Sequence, residues 1–335
     1  MYRSFRENHF STERELDRFE GRVMEKADTI FVAGHRGMVG GAIHRNLKDS
    51  GYTNILTATR KQLDLTDQDA VRVWFEENRP DYVFLAAAKV GGIQANISSP
   101  AIFMYDNLMI QTNVIHSAYL VKTKKLEFLG SSCIYPRESK QPMKEEYMLT
   151  GLLEPTNEAY AIAKIAGLKM CEYYRRQYRF NAITIIPPNL YGPGDDFSIE
   201  HSHVVAALMR RFHEAKVEGK ESVTLWGKGS ARREFMYVED LADAAVYLMN
   251  EYDDDQFINV GTSSDVSILE LAQLMKDTVG FQGTIDLDRS KPDGMPRKLM
   301  DSSRFNLLTW KQITDFRSGL DQTYEWFLAN LENKP

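Results

Sequence analysis

Short apolar runs alternate with amphipathic stretches through the first half of the chain. Thr29–Ala33, Asn54–Thr59, Tyr82–Ala86, Leu126–Gly130 and Ala182–Ile186 are short, mostly apolar runs, as expected of buried parallel strands. Helical spacing separates them. Ala42, Ile43 and Leu47 share one face, Val71, Trp74 and Phe75 another, and the span 100–122 is long enough for six turns. A further helix is predicted over Tyr160–Tyr178, with Ile165, Leu168 and Cys171 as its buried stripe. This alternation predicts an α/β fold with a doubly wound parallel sheet. Beyond Tyr191 the rhythm changes. A helix carries Val204, Val205, Leu208 and Met209 with Arg210 and Arg211, the stretch Val223–Gly229 precedes Arg232-Arg233, and a helix starts at Val238. Phe257–Gly261 then reads as a strand that returns to the main sheet. Near the start, Thr12 and Glu15 fit a capping box, with Leu16, Phe19 and Val23 on one face, so a short helix there competes with a mobile tail. Met24 stands just before the first strand, which makes a shorter functional chain conceivable.

The glycines after the first strand add chemistry to this pattern. Gly34-His35-Arg36-Gly37-Met38-Val39-Gly40 spaces three glycines between strand and helix. Such glycines permit a tight turn, close approach of the backbone to a pyrophosphate, and close helix–strand packing. The reading is a dinucleotide site, against a purely structural turn. The second strand ends at Arg60, where NAD-binding proteins often place an acidic residue for the ribose hydroxyl. A guanidinium suits a 2′-phosphate instead, and Arg36 stands ready on the other side, so NADP is favoured over NAD; the alternative is two solvated charges. Asp64 and Leu65 are candidates to line the adenine, or only the start of a helix capped by Thr66 or Asp67. Ala86, Ala87 and Ala88 leave room beside a cofactor, and Lys89–Gly92 forms a flexible loop over it. The layout that follows is an extension over 1–26, a Rossmann domain over 27–185 to which 232–262 return, and a smaller interwoven α/β substrate domain over 186–335.

The fourth strand delivers Ser131 and Cys133 at its C-terminal end, where open α/β sheets bind ligands. Tyr160 and Lys164 stand four residues apart and so share a helix face. Composition narrows the rest. The chain of 335 residues is 43% hydrophobic and 26% charged, ordinary for a globular protein, with no apolar run of membrane-spanning length. A net charge of −6 argues against nucleic acid or an anionic membrane as partner. Two cysteines make a disulfide framework unexpected, and no CxxC or HExxH indicates a metal. The highly charged first 26 residues lack a signal-peptide core, so a cytoplasmic enzyme is expected.

Gly34-xx-Gly37-xx-Gly40, Ser131 and Tyr160-xxx-Lys164 resemble the extended short-chain dehydrogenase/reductase family. Within it, Ala86–Gly92, Leu129–Pro136, Glu154–Asn157, Tyr160–Gly167 and Lys291–Gly294 look like the GDP-L-fucose synthase family, over residues 28–332. That resemblance implies conversion of GDP-4-keto-6-deoxy-D-mannose to GDP-L-fucose with NADPH by a homodimer pairing the helices of 100–122 and 160–178. It implies cofactor contacts from Gly34, Arg36, Gly37, Met38, Val39, Gly40, Arg60, Asp64, Leu65, Ala87, Lys164, Pro187, Asn189, Leu190 and His203. Ser131, Tyr160 and Lys164 would serve the C4 carbonyl, with Lys164 lowering the tyrosine pKa, while Cys133 and His203 would invert C3 and C5 as base and acid. His201 is a nearby alternative to His203, and a small core residue is the alternative role of Cys133. Arg211, Trp226, Arg233, Asp293 and Lys298 are the substrate candidates, against solvated charges or, for Trp226, core packing. Other nucleotide-sugar enzymes, such as 4-epimerases and 4,6-dehydratases, remain as alternatives, as does a non-catalytic NADP-binding regulator.

Overall fold

The computed structural model describes residues 23–199, 202–290 and 295–331. The expected N-terminal helix, His201 and Asp293 lie outside the described residues. The first half runs β1 (Ile30–Ala33), α1 (Met38–Asp49), β2 (Ile55–Leu56), α2 (Gln68–Asn78), β3 (Tyr82–Leu85), α3 (Ile93–Ser98), α4 (Pro100–Leu120), β4 (Lys125–Leu129), α5 (Glu158–Tyr178) and β5 (Ala182–Ile186). The second half runs β6 (Asn189–Tyr191), α6 (Val204–Val217), β7 (Ser222–Trp226), β8 (Arg232–Arg233), β9 (Phe235–Tyr237), α7 (Val238–Glu251), β10 (Ile258–Asn259), β11 (Val266–Ser267), α8 (Ile268–Val279), β12 (Thr284–Asp288), β13 (Arg297–Lys298), α9 (Ser303–Asn306) and α10 (Phe316–Ala329).

Six strands make the main sheet in the order β10-β5-β4-β3-β1-β2, and every pairing is parallel. Both faces are covered, which is why the strands read as continuous apolar runs. Side-chain alternation divides them. Ile30, Val32, Phe84 and Leu129 face α1 and α7, while Phe31, Ala33, Val83 and Phe128 face α4 and α5. A third core joins α6, α8 and α10 through Met209, Phe212, Leu271, Met275 and Phe327, beside the β12-β7 pair. No described helix is long and apolar enough to cross a membrane.

Several boundaries differ from the sequence reading. The second strand shrinks to two residues, since beyond Leu56 the chain leaves the sheet edge and turns at Thr59–Leu63. The predicted strand at Phe257–Gly261 does pair in parallel with β5. Met236 and the helix from Val238 pack in the main core with α1. Arg232–Arg233 instead pair with β11 and β13 in an outer three-stranded sheet. Met24 belongs to the body: it is buried in the α1/α7 core and its amide donates to Asn250 Oδ1 at 2.8 Å. The loop read over Lys89–Gly92 is followed by a short helix, α3, that the sequence reading missed.

Candidate active site

A cavity of 1240 Å³ opens along the C-terminal ends of the parallel strands. One end is built by the glycine loop. Gly34 has φ +91°, and a Cβ there would stand 2.8 Å from the Ala87 backbone. A Cβ on Gly40 would meet the Gly34 carbonyl oxygen at 2.2 Å, so α1 can seat on β1 only with glycine at that position. Gly37 is different: its nearest such neighbour is 3.4 Å away, and it begins α1 with no side-chain cap and no acidic residue in the first turn. The helix therefore turns uncapped N–H groups toward the cavity, an arrangement suited to an anion. Arg36, Met38, Val39, Arg60, Asp64, Leu65 and Ala87 line this end, as the sequence reading expects. Arg60 is exposed and reaches Asp64 at 3.3 Å, while Asp64 also accepts from the Thr66 amide at 2.9 Å. Asp67, one of the two expected caps, is the one that closes α2, accepting from Ala70 N at 3.0 Å. An uncapped helix start with Arg36 and Arg60 at the same end of the cavity suits an anionic cofactor such as a dinucleotide.

The same cavity is lined by Ser131, Cys133, Tyr160 and Lys164 and by Pro187, Asn189, Leu190 and His203. Ser131 ends the strand run and starts a single 3₁₀ turn over Ser132–Ile134, so that Cys133 N lies 3.4 Å from Ser131 Oγ. The Ser131 hydroxyl favours the charged forms of both Tyr160 and Cys133, working against the rise that burial imposes on each. Helix α5 places Lys164 one turn beyond Tyr160, and the buried ammonium donates to the Leu129 carbonyl at 2.7 Å. Burial brings its pKa down to about 8, with Cys133 pulling the other way.

One electrostatic expectation needs correction. Tyr160 is not lowered: burial pushes its phenol up, the Cys133 charge adds to that, and the Ser131 hydrogen bond offsets only part. Cys133 is also raised by burial, and Lys298, Ser131 and Lys164 each work against the rise. His203, the N-terminal residue before α6, stays reachable from the cavity, yet the surrounding walls lower its pKa while Asp196 raises it.

The substrate candidates separate. Arg233 and Lys298 line the cavity, adjacent on paired strands β8 and β13. Arg211 and Trp226 do not line it. The Arg211 guanidinium donates to the Thr224 carbonyl, and Trp226 is 71% exposed at the end of β7. Cys171 is the core residue expected of its stripe, buried with its pKa pushed up to about 12. Two supports escaped the sequence reading. Glu234, buried inside the apolar Phe235 segment, accepts from the amides of Met300 at 2.9 Å, Thr262 at 2.7 Å and Ser263 at 2.9 Å. Asn259 accepts from Tyr135 Oη at 2.5 Å and donates to the carbonyls of Met143 and Asp301. Glu234 directly follows Arg232 and Arg233, so in the sequence it reads as one more charge of a polar cluster and nothing there marks its burial.

Known proteins match this arrangement. The model of the NAD dependent epimerase/dehydratase family matches residues 30–261. GDP-L-fucose synthase 1 of Arabidopsis thaliana is 56% identical over 312 residues, covering 93% of this chain and 97% of its own. GDP-L-fucose synthase of Escherichia coli (strain K12) is 50% identical over 310 residues, covering 90% of this chain and 97% of its own. A solved GDP-mannoheptose C4 reductase from Campylobacter jejuni, with NADP bound, superposes with a TM-score of 0.85 at 42% identity, covering 91% of this chain and 99% of that one. The chain belongs to the NAD dependent epimerase/dehydratase family and, within it, to the GDP-L-fucose synthases.

Proposed function

We propose that this chain converts GDP-4-keto-6-deoxy-D-mannose to GDP-L-fucose, inverting C3 and C5 and then reducing C4 with NADPH. The observation that carries the proposal is that Cys133 and His203 line the same cavity as Ser131, Tyr160 and Lys164. A reductase needs only the last three. Hydrogens on C3 and C5 are acidic because they flank the C4 ketone, and inversion needs a base on one face and an acid on the other. Cys133 takes the carbon-bound proton, and His203 returns one from the opposite side. The enolate that forms puts negative charge on the C4 oxygen, where Ser131 and Tyr160 supply hydrogen bonds. The same donors serve the second reaction. When bound, NADPH supplies a hydride to C4. Tyr160 gives its proton to the oxygen, and the high pKa that burial imposes on the phenol keeps that proton in place until charge develops. Lys164, anchored to the Leu129 carbonyl, orients the ribose and stabilises the tyrosinate that results.

Arg233 and Lys298 face the GDP half of the substrate from β8 and β13. Arg211, Trp226 and Asp293 belong to this reading as further substrate contacts. We also take the enzyme to be a cytoplasmic homodimer. Its two cysteines are free, which agrees with a reducing compartment. Ile102 and Tyr105 of α4 and Ile162 and Tyr173 of α5 are exposed apolar side chains on the helices the dimer would pair. The test of the combined activity is deuterium uptake. Incubated with the 4-keto sugar in deuterated water, the enzyme should label C3 and C5; reduction without label at either carbon would leave a C4 reductase only.

A further inference from the structure

The outer sheet presents two cations to the cavity and anchors them from behind. Strands β8 and β13 pair in parallel, with Arg297 opposite Arg232 and Lys298 opposite Arg233. Successive side chains of a strand point to opposite faces. Arg233 and Lys298 line the cavity, while Arg232 and Arg297 turn to a shared acid. That acid is Asp265, just before β11, with a side chain only 5% exposed. Its Oδ1 accepts from Arg232 Nε at 2.8 Å, and its Oδ2 accepts from Arg297 Nε at 2.5 Å. The Asp265 carbonyl also accepts from Arg232 Nη2 at 2.7 Å. Glu270 Oε2 adds a hold on Arg232 Nη1 at 3.1 Å and accepts from the Ser267 amide at 2.6 Å at the start of α8. One buried carboxylate thus spans two strands, one oxygen to each.

We propose that Asp265 is a positioning residue for the nucleotide half of the substrate: by gripping Arg232 and Arg297 it fixes Arg233 and Lys298 side by side on the cavity face. The inference rests on the reading of Arg233 and Lys298 as GDP contacts given above. β8 and β13 hold two residues each, so their ladder supplies few bonds to set their spacing. Backbone groups steady the cavity side: Glu234 N donates to Lys298 O at 3.2 Å, and Arg233 Nη1 donates to the carbonyls of Arg232 and Met295. Asp265 adds a side-chain tie across the strands, made of charge-assisted bonds, which are stronger than neutral ones. Charge and position predict opposite signs here. Asp265 is an anion near a site for an anionic diphosphate, so loss of its charge alone would tighten GDP binding. Loss of the alignment it imposes would weaken that binding.

The experiment is calorimetric titration of GDP and, separately, of NADPH into the unaltered enzyme and Asp265→Asn, with steady-state kinetics on the 4-keto sugar. Asparagine keeps the shape but offers one acceptor oxygen in place of two. GDP should bind about tenfold more weakly, and KM for the sugar should rise by a similar factor. NADPH affinity and kcat should stay within about twofold. Arg297→Lys keeps the charge and releases one arm of the clamp; it should weaken GDP about threefold, and it carries the test if Asp265→Asn fails to fold. In a double variant, Arg233→Met with Lys298→Met, adding Asp265→Asn should cost less than about twofold more, because the groups it places are gone. Unchanged or tighter GDP binding by Asp265→Asn would overturn the proposal. So would equal losses of GDP and NADPH, or a tenfold loss that persists in the background lacking both cations. Failure of the substrate reading shows differently: there the double variant itself binds GDP as the unaltered enzyme does, which overturns both, whereas failure in Asp265→Asn alone leaves Arg233 and Lys298 as GDP contacts.

Discussion

Cys133 and Arg60 are the residues on which the chemistry turns most sharply. Cys133→Ser should slow deuterium uptake at C3 and C5 at least about a hundredfold, the low end of what a positioned base contributes. NADPH binding should stay intact, measured by fluorescence titration, because Cys133 is not among the expected cofactor contacts. Uptake at the original rate would remove Cys133 from the mechanism. Arg60→Ala should weaken NADPH about tenfold or more, a loss of about 1.4 kcal/mol, and leave NADH nearly unchanged. Equal losses would rule out a 2′-phosphate contact. At this scale the sequence was most informative where a motif fixes both residue type and spacing, as for Ser131, Cys133, Tyr160 and Lys164, all of which line the cavity. It was least informative about protonation. The opposing effects on Tyr160 and Cys133, burial against neighbouring charge, depend on how deeply each side chain is enclosed, and no spacing rule carries that. Arg211 and Trp226 show the same limit: their types suit a nucleotide, yet their directions come from α6 and β7 packing.

Among the elements, the β1–α1 unit is the one its sequence specifies most completely. Its strand is apolar because both faces are covered, and two of its glycines are demanded by contact with Ala87 and with Gly34 itself. Gly40→Ala should therefore cost about 1–3 kcal/mol of stability through overpacking against backbone, and reduce NADPH affinity as α1 shifts. Thermal unfolding with and without NADPH checks both effects, and a variant with unchanged stability and affinity would contradict the close fit. Other elements were harder to read. β2 has only two ladder residues because the chain turns away at Thr59, which the apolar run Ile55–Ala58 conceals. α3 is a six-residue helix starting at a glycine with no side-chain cap, so it offers little pattern to detect. Glu234 and Asn259 hold β13 against the site through bonds between residues far apart in the chain, such as the one from Met300 to Glu234.

Across the whole molecule, one buried acid gives stability a pH dependence. Glu127 sits in the middle of the main sheet, fully buried, and neither carboxyl oxygen has a hydrogen-bond partner among the described residues. Burial pushes its pKa well above the usual carboxyl range, against a smaller opposing pull from Lys125, whose ammonium donates to the carbonyls of Leu248, Met249 and Tyr252 at the end of α7. The folded protein thus binds this proton more tightly than the unfolded chain. Its stabilising contribution is complete below about pH 4.3 and is lost as pH rises from there through the raised folded value. Glu127→Gln keeps the neutral shape and cannot ionise. Denaturant unfolding should find the variant more stable than the unaltered protein at about pH 8, with the gap closing toward about pH 5. A gap independent of pH would contradict the protonated assignment.

Two reactions share one cavity in this reading, and product analysis tests that union most directly. With GDP-4-keto-6-deoxy-D-mannose and NADPH, the expected result is GDP-L-fucose as the product, one NADPH oxidised per sugar converted, and solvent deuterium at C3 and C5. A product still in the D-manno configuration, or turnover of the ketone with no NADPH oxidised, would contradict it.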